Sequence, residues 1–205
     1  MQKVVFIAPT FDNRGPRTIR MENLIEQLPM LDPIILKYEN SFKGLWNGKS
    51  DYKRNNRFSL IHVAFRFLAL YRIGNRVSKK ATKVGALALS NFLIKWDLKS
   101  RKAELNNEDT VFVVVVSPFT NYLLVPWLKK EFSKTRVVLD VGDPLYLNSA
   151  RDNSDEYSKQ VEQSAVTVAD TILVTNQPTK EFFANTYKVP QDNIAVVPQG
   201  VDVEL

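Results

Sequence analysis

Apolar residues run along this chain in short bursts, separated by stretches where they recur at helical spacing. The densest burst, Val111 to Val116, is almost entirely β-branched, the composition of a strand covered on both faces. Asn121 to Phe132 carries its apolar residues at helical spacing and gathers its charges at the end. Arg136 to Val141 returns to strand, and Gly142-Asp143-Pro144 breaks it. Asp109 to Asn148 therefore reads as a βαβ unit with polar loops at the strand C-termini, where an open α/β sheet binds its ligands.

The flanking chain repeats the alternation. Lys3 to Pro9 predicts a first strand, Thr10 to Pro16 a turn-rich loop, and Arg17 to Leu28 a helix with Ile19, Leu24, Ile25 and Leu28 on one face. Pro29 and Pro33 end that helix, and a strand follows to Tyr38. Asn40 to Arg57 is a polar loop. Phe58 to Tyr71 is apolar but shorter than the roughly 20 residues that span a bilayer, and its helix continues to about Lys83. A further helix covers Ala86 to Leu98. Beyond Tyr146, Ser154 to Ala169 reads as a helix with Tyr157, Val161, Ala165 and Val168 as its apolar stripe. Then come a strand at Asp170 to Thr175, a helix at Gln177 to Tyr187 with Phe182, Phe183 and Tyr187 on one face, a turn, a strand at Ile194 to Val197, and a turn through Pro198 to Asp202. Strands alternating with helices predict one α/β domain over residues 1–205: a Rossmann-like, doubly wound parallel sheet with helices on both faces.

Charge adds a feature that periodicity does not. The net charge of the 205 residues is +6, yet Lys53 to Lys102 holds 13 Lys and Arg against one acid, Asp97. That segment carries a balance of +12 and leaves −6 for the rest, which points to an anionic partner surface. On a helical wheel Arg72, Arg76, Lys79, Lys80 and Lys83 share one arc. The segment is a solvated face, a nucleic-acid binder or a face lying on an anionic membrane. No nucleic-acid-binding motif accompanies it, and its interleaved Phe, Leu and Trp favour the membrane. The chain has no cysteine, and its one histidine, His62, lies in an apolar run and reads as partly buried or interfacial. The opening apolar run is too short for a signal-peptide core, so the expected location is cytoplasmic, peripheral on the inner face of the membrane.

Three stretches resemble the N-terminal domain of family 4 glycosyltransferases of the GT-B fold. They are KVVFIAPTFDNRGPRTIR, then VVVVSPFTNYLLVPWLKK with RVVLDVGDPLY, then VADTILVTNQPTKEFF with VPQDNIAVVPQGVD. The third is the most specific, since Ala169-Asp170, the strand and Pro198 to Asp202 follow in the family's order. The chain departs from the family in offering only Gly15 in the first loop, followed by Pro16, and in placing Gln199 where Asn is usual. The resemblance implies the acceptor-side half of an enzyme that moves a sugar from a nucleotide-sugar to a polysaccharide or lipid-linked acceptor with retention. A C-terminal donor-binding domain would be its partner, and no cofactor is implied in this half.

Each candidate site residue has a structural alternative. Gly15 either lets a donor diphosphate approach the backbone or is a turn glycine. Arg17 and Arg20 open a helix whose dipole they oppose; they contact phosphate or acceptor, or are solvated. Ser117 and Thr120 contact substrate or start a helix. Asp143 and Asp140 either orient a sugar hydroxyl as acceptor base, or serve as turn and capping residues. No Asp-x-Asp occurs, so no metal is expected. A non-enzymatic module docking a membrane or protein partner through the basic segment is the competing expectation.

Overall fold

The computed structural model describes residues 3–8, 25, 32–37, 91–92, 94–116, 119–147 and 156–198. Gly15, Arg17, Arg20, His62, Arg72, Arg76, Lys79, Lys80, Lys83, Ser117, Gly200 and Asp202 lie outside the described residues, as does most of the basic segment.

Six strands form one parallel sheet: β1 (Lys3–Ala8), β2 (Asp32–Lys37), β3 (Thr110–Val115), β4 (Arg136–Val141), β5 (Thr171–Val174) and β6 (Ile194–Val196). Their spatial order is β2-β1-β3-β4-β5-β6. β3 lies at the centre because its sequence suits no other place: every residue from Thr110 to Val115 is buried. Side chains alternate across the sheet and divide the core in two. Val5, Ile7, Phe112, Val114, Val137, Leu139, Ile172 and Val174 pack on one face, and Val4, Phe6, Val111, Val113 and Val115 on the other.

The helices follow from the handedness of the crossovers. A parallel β-crossover-β connection is right-handed, so connections running in opposite directions across the sheet lie on opposite faces. From β3 to β6 the chain steps one way. The helices α1 (Lys102–Leu105), α2 (Leu124–Glu131), α3 (Glu156–Val166) and α4 (Gln177–Tyr187) accordingly bury Leu105, Leu128, Ala165 and Phe183 on the first face. Ile94 and Leu98, from helical residues 94–100, join them there. The step from β1 to β2 runs the other way, and the helical residue Ile25 packs on the second face. The sheet is thus doubly wound, as the alternation of elements predicts.

Two expectations are corrected. The helix predicted from Asn121 begins as a 3-10 turn, Phe119–Leu123, before α2 starts at Leu124. An α-helix starting at Asn121 would need an N–H from Pro126 to reach back to Tyr122. Starting at Leu124 puts Pro126 in the first turn, where N–H groups have no helical partner anyway. In α3 the predicted stripe holds for Ala165, which is buried, and for Val161, which packs against the core, but not for Tyr157 and Val168. Tyr157 and Val168 are exposed, and Ser158, Glu162, Ala165 and Val166 face the core.

Candidate functional site

In an open α/β sheet the ligand crevice lies beyond the strand C-termini, at the point where strand order reverses. Here that point is between β1 and β3, adjacent parallel strands in register from Lys3↔Thr110 to Ile7↔Val114. The chain beyond β1 leads to β2 on one side, and the chain beyond β3 leads to β4 on the other. By sequence, those two exits carry the Gly15 loop and the Ser117–Thr120 loop.

The β3 exit is pinned by amides. The Asn121 side chain, 3% exposed, donates through Nδ2 to the Val115 carbonyl at 2.8 Å and closes the strand. Asn91 Nδ2 donates to the Thr120 carbonyl at 2.9 Å, which ties the helix before β3 to this loop. Among the described residues, Thr120 Oγ1 and Asn91 Oδ1 are buried polar atoms without a hydrogen-bond partner. A buried polar atom left without a partner costs about 1–3 kcal/mol.

The β4 exit carries both candidate carboxylates, and they have different environments. Asp140 pairs in register with Val115 and Leu173, is 2% exposed, and accepts Val116 N–H at its carbonyl at 2.9 Å. Its place in the alternation puts it on the face opposite Val137, Leu139 and Val141. Asp143 is exposed in the loop that follows. Thr120, Asp140 and Asp143 are thus brought to neighbouring strand ends.

The β4 loop is held from beneath by a residue that hydrophobic periodicity overlooks. Glu162 of α3 is fully buried and accepts four hydrogen bonds: Leu145 N–H at 2.6 Å and Tyr122 Oη at 2.7 Å on Oε1, Tyr187 Oη at 2.7 Å and Tyr146 N–H at 3.2 Å on Oε2. One carboxylate therefore ties the β4 loop, the 3-10 turn and α4 to α3. Burial pushes its pKa above the ordinary value; the bonds from Leu145, Tyr122, Tyr187 and Tyr146 pull the other way and do not fully offset it. The same burial, with the charge of Glu162 beside it, raises the Tyr187 hydroxyl, which stays a donor. Thr175 Oγ1 adds a bond to the Gly142 carbonyl at 3.1 Å, so β5 also braces the loop. Beyond this brace Leu147 adopts φ 56° while 58% exposed, a left-handed backbone that bulky residues rarely take. The signal for Glu162 was a Ser158, Glu162, Ala165, Val166 stripe, which only the tyrosine and amide donors make favourable.

Asp170 lies at the other end of the sheet. Its carboxylate accepts Val137 N–H at 2.7 Å and both its oxygens take Lys129 Nζ at 2.8 Å, while its own N–H donates to the Val137 carbonyl at 2.9 Å. It fixes the start of β4 beside β5, at the strand N-termini, away from the ligand edge.

Among the described residues no group of three or more His, Asp or Glu is placed to hold a metal ion, and no helix is long and apolar enough to cross a membrane. Comparison of the chain with protein-family models finds no match, and comparison with curated proteins finds no similar sequence.

Proposed function

We propose that the chain is the acceptor-side Rossmann-like half of a GT-B glycosyltransferase resembling family 4. It would work with a C-terminal donor-binding domain to move a sugar from a nucleotide-sugar to a polysaccharide or lipid-linked acceptor with retention. The observation that supports this most is the switch point. β1 and β3 are adjacent parallel strands at the point where strand order reverses, and in sequence Gly15, Arg17 and Arg20 follow β1, Ser117 and Thr120 follow β3, and Asp143 follows β4. In this reading Gly15 lets the leaving diphosphate approach the backbone and Arg17 and Arg20 offset its charge. Thr120 and Ser117 hold the acceptor, and Asp143 orients its hydroxyl and takes its proton. Asp140 and Glu162 keep the Asp143 loop in place. No covalent intermediate on a resident carboxylate and no metal is invoked.

The test is a transfer and donor-hydrolysis assay of the complete gene product against a panel of nucleotide-sugars. Acceptor-dependent release of nucleoside diphosphate is expected, falling in Asp143→Asn. No release with any donor sinks the reading. One observation favours the competing reading, a non-enzymatic module on a membrane: the basic balance of Lys53 to Lys102. Both readings keep the protein on the cytoplasmic side and without nucleic acid; the module reading has it dock a membrane surface or a protein partner through the basic segment.

A further inference from the structure

Glu162 touches both of the segments that follow β3 and β4. Tyr122, which donates to its Oε1 at 2.7 Å, lies two residues beyond Thr120 on the 3-10 turn. Leu145 and Tyr146, whose N–H groups donate at 2.6 and 3.2 Å, follow Asp143 by two and three residues on the β4 loop. Tyr187 of α4 completes the ring on Oε2 at 2.7 Å. These two loop amides thus reach a side chain instead of a strand partner, and their bonds depend on the state of one carboxyl group.

That group can hold a proton without losing its partners. An amide N–H only donates, but a tyrosine hydroxyl both donates and accepts. When Glu162 is neutral, its O–H donates to Tyr122 or Tyr187 once that hydroxyl turns, and both amide bonds remain. When it is ionised, all four donors serve a charge that burial penalises; the groups that act on it are hydroxyls and amides, with no cation among them. Tyr146 is the third titratable group at the ring, and Lys159 of α3 lies over its ring at 5.7 Å. α2 also packs on α3, but its Lys129 pairs with Asp170, its Glu131 pairs with Lys102, and its Lys130 is exposed.

We propose that Glu162 is a proton-operated latch: carrying a proton it locks the 142–147 loop to the 3-10 turn, and on ionisation it lets the loop open. The sign follows from solvation. In the open loop the carboxyl meets water and titrates near its ordinary value of 4.5, and in the closed loop it titrates higher. The closed form therefore binds the extra proton. It is favoured at low pH and loses ground as pH rises through the closed value. Between the two values opening releases one proton, so the opening constant rises about tenfold per pH unit. Because the loop carries Asp143 and the turn carries Thr120, the latch decides whether these two candidate residues are held in register. The latch does not need the glycosyl-transfer reading; only the chemistry it would regulate rests on that reading.

The test follows amide hydrogen exchange of the full chain by NMR from acid to neutral pH, as protection relative to intrinsic exchange, and titrates the Glu162 carboxyl through its carbon shift. Protection of Leu145 and Tyr146 is expected to fall about tenfold per pH unit across the window. It should lie well below that of Val113 and Val114 and ignore low urea, as a local opening does. Glu162→Gln cannot ionise and should lose the pH dependence at these two amides. Tyr187→Phe removes one donor from the ionised form, so the carboxyl titration and the exchange breakpoint should both move up in pH. This second variant decides the matter if Glu162→Gln does not fold. A carboxyl that titrates at or below 4.5 overturns the proposal. So does protection at Leu145 and Tyr146 that matches Val113 in size and urea dependence, since the loop then moves only with global unfolding. A pH slope that survives in folded Glu162→Gln overturns it as well. None of these readouts measures transfer, so loss of the enzyme reading leaves the latch standing, and failure of the latch leaves the enzyme reading intact.

Discussion

Glu162 shows how much one side chain can hold. Its four hydrogen bonds come from two tyrosine hydroxyls and two backbone amides, and the bonds from Tyr122, Leu145 and Tyr187 are buried. Glu162→Ala is therefore expected to cost about 3 kcal/mol, read as a lower urea midpoint at unchanged slope. The pH dependence has a definite sign. Because the folded pKa lies above the unfolded one, the native state binds more protons above the ordinary value of 4.5. The stability this group contributes is present below that value and is lost as pH rises through the folded value. Denaturation of wild type and Glu162→Gln across acid to neutral pH checks it: the wild type should lose ground to the variant as pH rises. A flat difference would refute the raised pKa. Asp170 gives a simpler case. Asp170→Ala leaves the Val137 N–H without its carboxylate and should cost about 1–3 kcal/mol by thermal or urea unfolding.

At the scale of elements, caps and prolines decide what periodicity leaves open. α4 was legible to the residue, Gln177–Tyr187, because its sequence carries its own punctuation. Asn176 caps it through Oδ1 on the Thr179 N–H at 2.9 Å, and Pro178 occupies its first turn. Asn176→Ala should lower stability by about 1 kcal/mol. At the other end Lys188 takes φ 57°, so Lys188→Gly should leave the fold unchanged and raise the unfolding midpoint by relieving about 1 kcal/mol of left-handed strain. α2 was legible in its apolar face but not in its start, which Pro126 moved to Leu124. Phe132 closes that element against Phe112 and Trp127, with ring centroids 5.1 and 5.8 Å away in edge-to-face contact. α3 was legible as a helix and misread in its facing, since its inward stripe contains a charge.

For the whole molecule, Thr120, Asp140 and Asp143 lie toward the strand C-termini and the structural carboxylate Asp170 at the strand N-termini. Asp143 is exposed, so Asp143→Asn should keep stability within about 0.5 kcal/mol; under the glycosyl-transfer proposal, an assay of transfer should show a fall of about 10²–10⁴-fold. A variant that unfolds, or one with wild-type turnover, argues against Asp143 as acceptor base. Among the described residues, the amino-acid sequence by itself determined the six strands, the helices α2, α3 and α4, and the parallel, doubly wound class, but not the short helix α1. Those rest on local apolar runs, β-branched composition and turn residues, all read within a few neighbouring positions. Only the tertiary structure decided that Glu162 is buried, that Asp140 is covered while Asp143 is not, and that Phe92 and Trp96 remain in solvent. Burial of a polar group depends on donors from distant segments, here Tyr122, Leu145, Tyr146 and Tyr187, and no periodicity within one helix encodes where those will arrive.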